Sequence, residues 1–243
     1  MDLVLVLVLG LLAGTIAGVV GTGSSIILIP ALVLQFGPQQ AIPIMAIAAL
    51  MANISRVLVW WREIDWPACA AYAVTGVPAA VLGARTLLVL PPRLVDGVLG
   101  AFFLLMIPAR RWADRKALRL NRWHLAAAGA LIGYLTGIVA STGPLSVPVF
   151  LGYGLVKGAF LATEAAGSLA IFASKTVAFQ RFGALPLDAA LKGLTVGASL
   201  MIGSLIAKRI VTRLNASHFR ILMDGVMLFS GVSLIWMALV WKH

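Results

Sequence analysis

Residues 10–30, GLLAGTIAGVVGTGSSIILIP, and residues 129–148, GALIGYLTGIVASTGPLSVP, decide the fold. In each, an apolar segment with glycine every fourth residue runs into a short stretch rich in Gly, Ser and Thr. A shorter apolar segment carrying a proline follows. Gly10, Gly14 and Gly18 match Gly129, Gly133 and Gly137 at an offset of 119, and Pro30 matches Pro148 after a one-residue deletion. The offset of 119 then returns: Ser55-Arg56 matches Ser174-Lys175, Arg62 matches Arg181, and Pro67 matches Pro186. Near the ends of the two halves, LVDGV at 94–98 recurs as LMDGV at 222–226. Chance supplies single matches but not an ordered series. The chain is therefore read as two related halves, 1–109 and 123–243, joined by a basic segment at 110–122.

The solvent of these halves follows from composition. Of 243 residues, 61% are hydrophobic and 11% charged. Soluble domains are nearer half apolar and a quarter charged, so lipid is the expected solvent here. Apolar runs fall at 2–20, 24–36, 40–61, 66–90, 93–109, 123–140, 143–155, 158–180, 186–207 and 217–241. A membrane-crossing helix needs about 20 residues. Most of the runs qualify, while 24–36 and 143–155 are too short. The expectation is an all-α integral membrane protein with about eight long helices and two short segments after broken helices. Irregular backbone at membrane depth is tolerated only where it lines a cavity or is buried in protein. The N-terminal MDLVLVLVLGLLAG has no basic leader and reads as a first helix rather than a secretory signal.

Charge sets the orientation. The net charge is +11, from 19 basic and 8 acidic residues. Arg110, Arg111, Arg115, Lys116, Arg119 and Arg122 stand against Asp114 in the central segment, which the positive-inside rule puts in the cytoplasm. Working outward, Arg62 falls inside, the 85–93 loop outside, Arg181 outside and the Lys208, Arg209, Arg213, Arg220 cluster inside. Both termini then lie outside, and the halves are inverted relative to one another. Inverted halves with interrupted helices are the mark of secondary transporters, whose sites lie at the breaks. Duplication without carrier activity is the competing reading, since channels are also built this way. The basic residues sit between apolar runs, where topology and anionic lipid headgroups account for them. No nucleic-acid partner is expected, because no basic face or aromatic platform accompanies the charge. A homo-oligomeric state stays open.

Candidate binding residues lie first at the breaks, Gly21, Thr22, Gly23, Ser24 and Ser25, then Ser141, Thr142, Gly143 and Ser146. Helix N-termini expose unpaired N–H groups and partial positive charge, the hydroxyls add donors, and glycine lets backbone approach a ligand. Two such termini facing one another make an anion site. The plainer alternative is that small residues permit close helix packing, and it is the favoured one for Gly10, Gly14, Gly129 and Gly133. Arg56 and Lys175 are equivalent intramembrane cations, each six residues before a loop cation. They either snorkel to the interface or line opposite vestibules and attract an anion. Glu164 shares a helix face with Ser168 and Lys175 and has no acidic counterpart in the first half, its equivalent falling near Met45 or Ala46. A proton-coupling role competes there with a structural hydrogen bond. Asn53, one turn before Arg56, is a bundle hydrogen-bonder, and Asp96 and Asp224 recur at helix starts. The seven tryptophans fall near run ends, as an interfacial belt does.

Several classes of function lack their residues. No Walker A sequence is present, so ATP is not the evident driver. His124, His218 and His243 make no metal spacing, and the one cysteine, Cys69, forms no internal disulfide. Neither a cofactor, a metal nor an enzymatic reaction is expected.

The segments AGTIAGVVGTGSSIILIPAL at 13–32 and IGYLTGIVASTGPLSVPVFL at 132–151 resemble the TauE/SafE family of sulfite and organosulfonate exporters, as do IDWPA at 64–68 and GSLIAKRI at 203–210. The second half carries STGP where that family's break is glycine-rich. The resemblance implies a secondary carrier of the bacterial cytoplasmic membrane for small anions such as sulfite, thiosulfate, sulfoacetate and related sulfonates. The expected function is alternating-access transport of such an anion, bound at the breaks, steered by Arg56 and Lys175 and coupled through Glu164. A channel for small anions or neutral solutes is the alternative, and a membrane enzyme or assembly subunit is a more remote one.

Overall fold

The computed structural model of the chain describes residues 3–20, 24–115, 120–139, 142–155 and 157–210, with isolated helical positions between Leu228 and Leu239. Among the described residues all regular structure is helical. The first apolar run forms α1 (Leu3–Val20), and the short segment after the first break forms α2 (Ser24–Phe36) with Pro30 inside it. A single residue joins α2 to α3 (Pro38–Trp60). That residue is Gly37 at φ 78°, a value side-chain-bearing residues rarely adopt, and its amide closes α2 on the Val33 carbonyl at 2.8 Å. Pro38 follows in the first turn of α3, where its missing N–H costs nothing. A 3-10 turn at Trp61–Glu63 leads to α4 (Trp66–Val89), whose start is capped by Asp65 accepting from the Ala68 amide at 3.0 Å. Then comes α5 (Pro92–Arg115).

After the basic segment a long helix, a short one and two long ones follow in turn. Asn121 caps α6 (Arg122–Ile138), accepting from the His124 amide at 3.1 Å, while the His124 ring accepts in return from the Asn121 amide at 3.2 Å. Next are the short α7 (Gly143–Gly152) with Pro148 inside, α8 (Lys157–Arg181) and α9 (Leu187–Ile210). Among the described residues, three stretches are long and apolar enough to cross a membrane by length and composition: Gln39–Glu63, Trp66–Val89 and Leu187–Ile206. One boundary departs from the sequence expectation. The helix α5 continues to Arg115 and so takes in the first part of the basic 110–122 segment. The last run, 217–241, lies outside the described residues except for its isolated helical positions.

The helices pack in cross-half pairs: α1 on α9, α4 on α6, α3 on both α8 and α9, and α4 on α8. Small residues make the closest of these contacts. A Cβ on Gly14 would run into the Leu200 backbone, and one on Gly133 into the Gly76 backbone. One on Gly10 would strike the Ser199 side chain, and one on Gly129 the Tyr72 backbone. In lipid there is no hydrophobic drive between helices, so such backbone approach supplies the packing energy. All four glycines thus take the packing role favoured for them in the sequence. Outward faces stay apolar: Val74, Leu82 and Val89 on α4, and Leu187, Leu191 and Ile202 on α9, are all exposed. Trp61, Trp66, Trp112 and Trp123 are exposed at helix ends, where interfacial tryptophans sit.

The bundle has two distinguishable ends. At one, the Leu120 amide donates to the Gly152 carbonyl at 2.8 Å, and Gly158 lies against the Glu63 carboxylate. At the other, Gln39 Nε2 donates to the Leu90 carbonyl at 3.2 Å, and the Lys192 ammonium stands 4.7 Å from the Phe36 ring centre. In α1, α2, α6 and α7, the helix ends flanking the two breaks therefore lie in the interior between these ends.

Candidate functional site

A small cavity opens where the break-flanking helices meet. From the first half it is lined by Gly14, Ala17 and Gly18 of α1, Ser24 and Ser25 of α2, and Asn53 and Arg56 of α3. From the second half come Thr136 of α6, Thr142, Gly143 and Ser146 at the start of α7, and Glu164 and Ser168 of α8. Tyr72 of α4 and Ser204 of α9 complete the polar lining, with Ala49, Ala52, Ile171 and Phe172 as apolar wall. Its volume is about 40 Å³. A water molecule needs roughly 10–15 Å³ on that measure, so the space fits a few waters or one compact anion.

The charged centre is an ion pair between the halves. Arg56 Nη1 donates to Glu164 Oε2 at 2.8 Å, across 108 residues of sequence. Arg56 Nη2 donates to Asn53 Oδ1, and Asn53 is held by its own Nδ2 on the Ala49 carbonyl at 2.8 Å. The other carboxylate oxygen, Glu164 Oε1, accepts from Ser146 Oγ at 2.9 Å and Ser168 Oγ at 2.8 Å. The side chains are 11% and 2% exposed, so water does little to solvate either charge. A buried pair of this kind persists only when further hydrogen bonds satisfy it, and the two serines and Asn53 supply them. The pair ties α3 to α8 and, through Ser146, to the first turn of α7.

Lys175 occupies a different place. It is fully buried, and its Nζ donates to the Thr136 carbonyl at 2.5 Å and the Val139 carbonyl at 2.9 Å. These carbonyls end α6, where the helix dipole is negative and a cation is stabilising. The rings of Phe172 and Phe179 stand 5.9 and 5.6 Å from the ammonium. Lys175 thus holds the helix end that precedes the second break and does not line the cavity.

The structure therefore brings together Ser24, Ser25, Arg56, Thr142, Gly143, Ser146 and Glu164, and leaves Lys175 outside that group. Gly21, Thr22, Gly23 and Ser141 lie outside the described residues, as does Asp224. Both serines at the start of α2 are buried, and Thr142 Oγ1 meets Thr136 Oγ1 at 2.5 Å. Tyr72 and Thr136 were not singled out in the sequence. Tyr72 lies six residues into the run at 66–90, deeper than Trp66 at its start, and that position was the available signal. Thr136 hides as a helical threonine donating to the Ile132 carbonyl at 2.6 Å. Among the described residues no cluster of His, Cys, Asp and Glu could hold a metal ion.

Comparison with known proteins adds a lineage. The chain matches the family described as "Sulfite exporter TauE/SafE" over residues 6–234. It is 28% identical over 188 residues to "Probable membrane transporter protein y4hK" of Sinorhizobium fredii (strain NBRC 101917 / NGR234), an alignment covering 72% of this chain and 73% of that protein. No solved structure matches it.

Proposed function

We propose, from the premise that the chain belongs to the sulfite exporter TauE/SafE family, that it is a carrier moving a small sulfur oxyanion or organosulfonate by alternating access. Membrane transport is the common ground of the family description and the Sinorhizobium relative. The anionic substrate, of the sulfite, thiosulfate or sulfoacetate type, is our extension. The observation that carries it is the cavity itself. It is closed in by the first turns of two short helices and by one guanidinium, and its size suits a compact oxyanion. Helix starts and arginine are the groups that recognise such anions. Gly21, Thr22, Gly23 and Ser141 complete the proposed site on the sequence argument, and Lys175 supports it by holding α6 in place.

The inverted arrangement is likewise a proposal. Exchanging each helix of the first half for its counterpart in the second turns the α1–α9 pair into the α6–α4 pair and leaves α3–α8 unchanged, and both sets of neighbours occur. That is the behaviour of a two-fold axis passing between α3 and α8, beside the Arg56–Glu164 pair. Rocking of one half against the other about such an axis would open the cavity alternately to the two sides. The central basic segment and the end carrying Arg62 and Gly152 then face the cytoplasm of a bacterial inner membrane, with both termini outside.

A channel is the competing function. Purified protein in liposomes discriminates the two by counterflow: unlabelled thiosulfate trapped inside should drive transient accumulation of labelled thiosulfate added outside. A carrier gives the overshoot, while flux linear in concentration without overshoot belongs to a channel.

A further inference from the structure

We propose that the Glu164 carboxylate is a resident stand-in for the transported anion, and that substrate takes its place on Arg56 only as Glu164 takes up a proton. This rests on the anion-carrier reading and adds to it the coupling ion and the order of events.

The geometry carries the inference. The cavity holds one guanidinium and one carboxylate, and its other described lining groups are neutral. The two oxygens of Glu164 are used differently. Oε1 is fixed by two hydroxyl donors, from Ser146 and Ser168, and Oε2 is given to Arg56 Nη1. The carboxyl can therefore stay seated through Oε1 while Oε2 exchanges the guanidinium for a proton. An arriving anion meets a charge-balanced pocket whose cation is already matched. Adding a net negative charge there is strongly unfavourable, because the site offers no second cation to match it. With a proton on Glu164 Oε2, a monoanion on Arg56 restores balance, and the new O–H faces the cavity as a donor. Proton and monoanion enter together, and no uncompensated charge is buried at any stage.

The surroundings bear on which group titrates. From α3 the charged group facing Glu164 is Arg56, and from α4 the titratable group near it is Tyr72. The short α7 contributes Ser146 and α6 contributes Thr136, neither ionisable in this range. On α8 itself, Lys175 is engaged at the end of α6; from the turn before α4, Arg62 and Glu63 lie exposed, and Asp65 donates its amide to Thr163 Oγ1 while its carboxylate accepts from the Ala68 amide. Glu164 is thus the acid in direct contact with the cation that an anion would seek.

The test uses the full chain in nanodiscs, with methanesulfonate and ethanesulfonate as probes, since both stay monoanions across the neutral pH range. Calorimetry in two buffers of different ionisation heat should find about one proton taken up per anion bound. Affinity should fall by about tenfold per pH unit where Glu164 is ionised in the empty protein. Glu164→Gln, which keeps an acceptor for both serines, should bind the same anions with no proton uptake and with affinity independent of pH. Wild-type binding without proton uptake overturns the proposal. So does uptake that persists in Glu164→Gln, which would assign the proton to a group other than Glu164. If Glu164→Gln does not fold, the wild-type proton count alone decides. If neither anion binds the wild type at any pH, the anion-carrier reading for this class fails and takes the proposal with it. Anion binding without a proton defeats the coupling alone.

Discussion

Removing either partner of the Arg56–Glu164 pair should destabilise the fold far more than removing both. Arg56→Met leaves a carboxylate that is 2% exposed with only hydroxyl partners, and Glu164→Gln leaves a guanidinium that is 11% exposed. Breaking a buried pair by removing one partner costs about 3–5 kcal/mol, because the remaining charge is uncompensated. Arg56→Met should sit at the upper end, since its orphan is the deeper one. Glu164→Gln should sit at the lower end, since Arg56 keeps Asn53. In the double variant no charge is left. The glutamine oxygen still accepts from Ser146 and Ser168, and the loss reduces to about 1–3 kcal/mol for an unmatched amide. The double-mutant cycle should therefore give a coupling energy of at least about 3 kcal/mol. Reversible unfolding in mixed micelles with increasing denaturing detergent, followed by tryptophan fluorescence, measures all four proteins. Losses that add within about 0.5 kcal/mol would show that the two side chains do not meet in the folded protein.

Lys175→Met should loosen the second break specifically. Amide hydrogen exchange over residues 136–146 should quicken by about tenfold or more, corresponding to about 1.4 kcal/mol of local stability, while exchange in α4 stays as it was. Equal protection across the two proteins would remove Lys175 from its place on the α6 carbonyls. A methyl group separates tight from open glycines: Gly133→Ala forces α6 off Gly76 and should cost about 1–3 kcal/mol in the unfolding titration. Gly97→Ala on α5, with nothing within 4 Å of the added carbon, should be neutral or gain up to about 1 kcal/mol of helix propensity. Finally, Ser25→Phe should insert into the membrane normally yet abolish anion-induced thermal stabilisation, by filling a cavity of about 40 Å³. Unchanged stabilisation would place the anion elsewhere.

Much of this architecture was legible in the order of apolar runs. The run at 66–90 became Trp66–Val89, and the short run at 24–36 became Ser24–Phe36, because length and hydropathy directly answer to the thickness of the hydrocarbon. The end of α5 was not legible, because hydropathy marks where lipid stops and not where a helix stops. Four of the six residues after Ala109 are arginine or alanine, which are good helix formers, and α5 continues through them to Arg115. The site was half legible. Glycine, serine and threonine at a break identify cavity-lining backbone, and Ser24, Ser25, Thr142 and Ser146 all proved buried there. The fate of the two equivalent cations was hidden, since it depends on a contact spanning 108 residues. Glu164 reaches Arg56, whereas the corresponding position for Lys175 is Met45 or Ala46, so Lys175 turns to helix-end carbonyls instead. The lack of an acidic counterpart was readable in the repeat, but its consequence needed the third dimension.

The central claim is that this chain carries an anion through the cavity at Arg56, and counterflow in liposomes tests it most directly. Preloaded thiosulfate should drive a transient overshoot of labelled thiosulfate in wild-type vesicles, and Arg56→Met vesicles with equal protein content should give none. An overshoot in Arg56→Met equal to that of the wild type, or no overshoot in either with sulfite, thiosulfate or sulfoacetate, would contradict it.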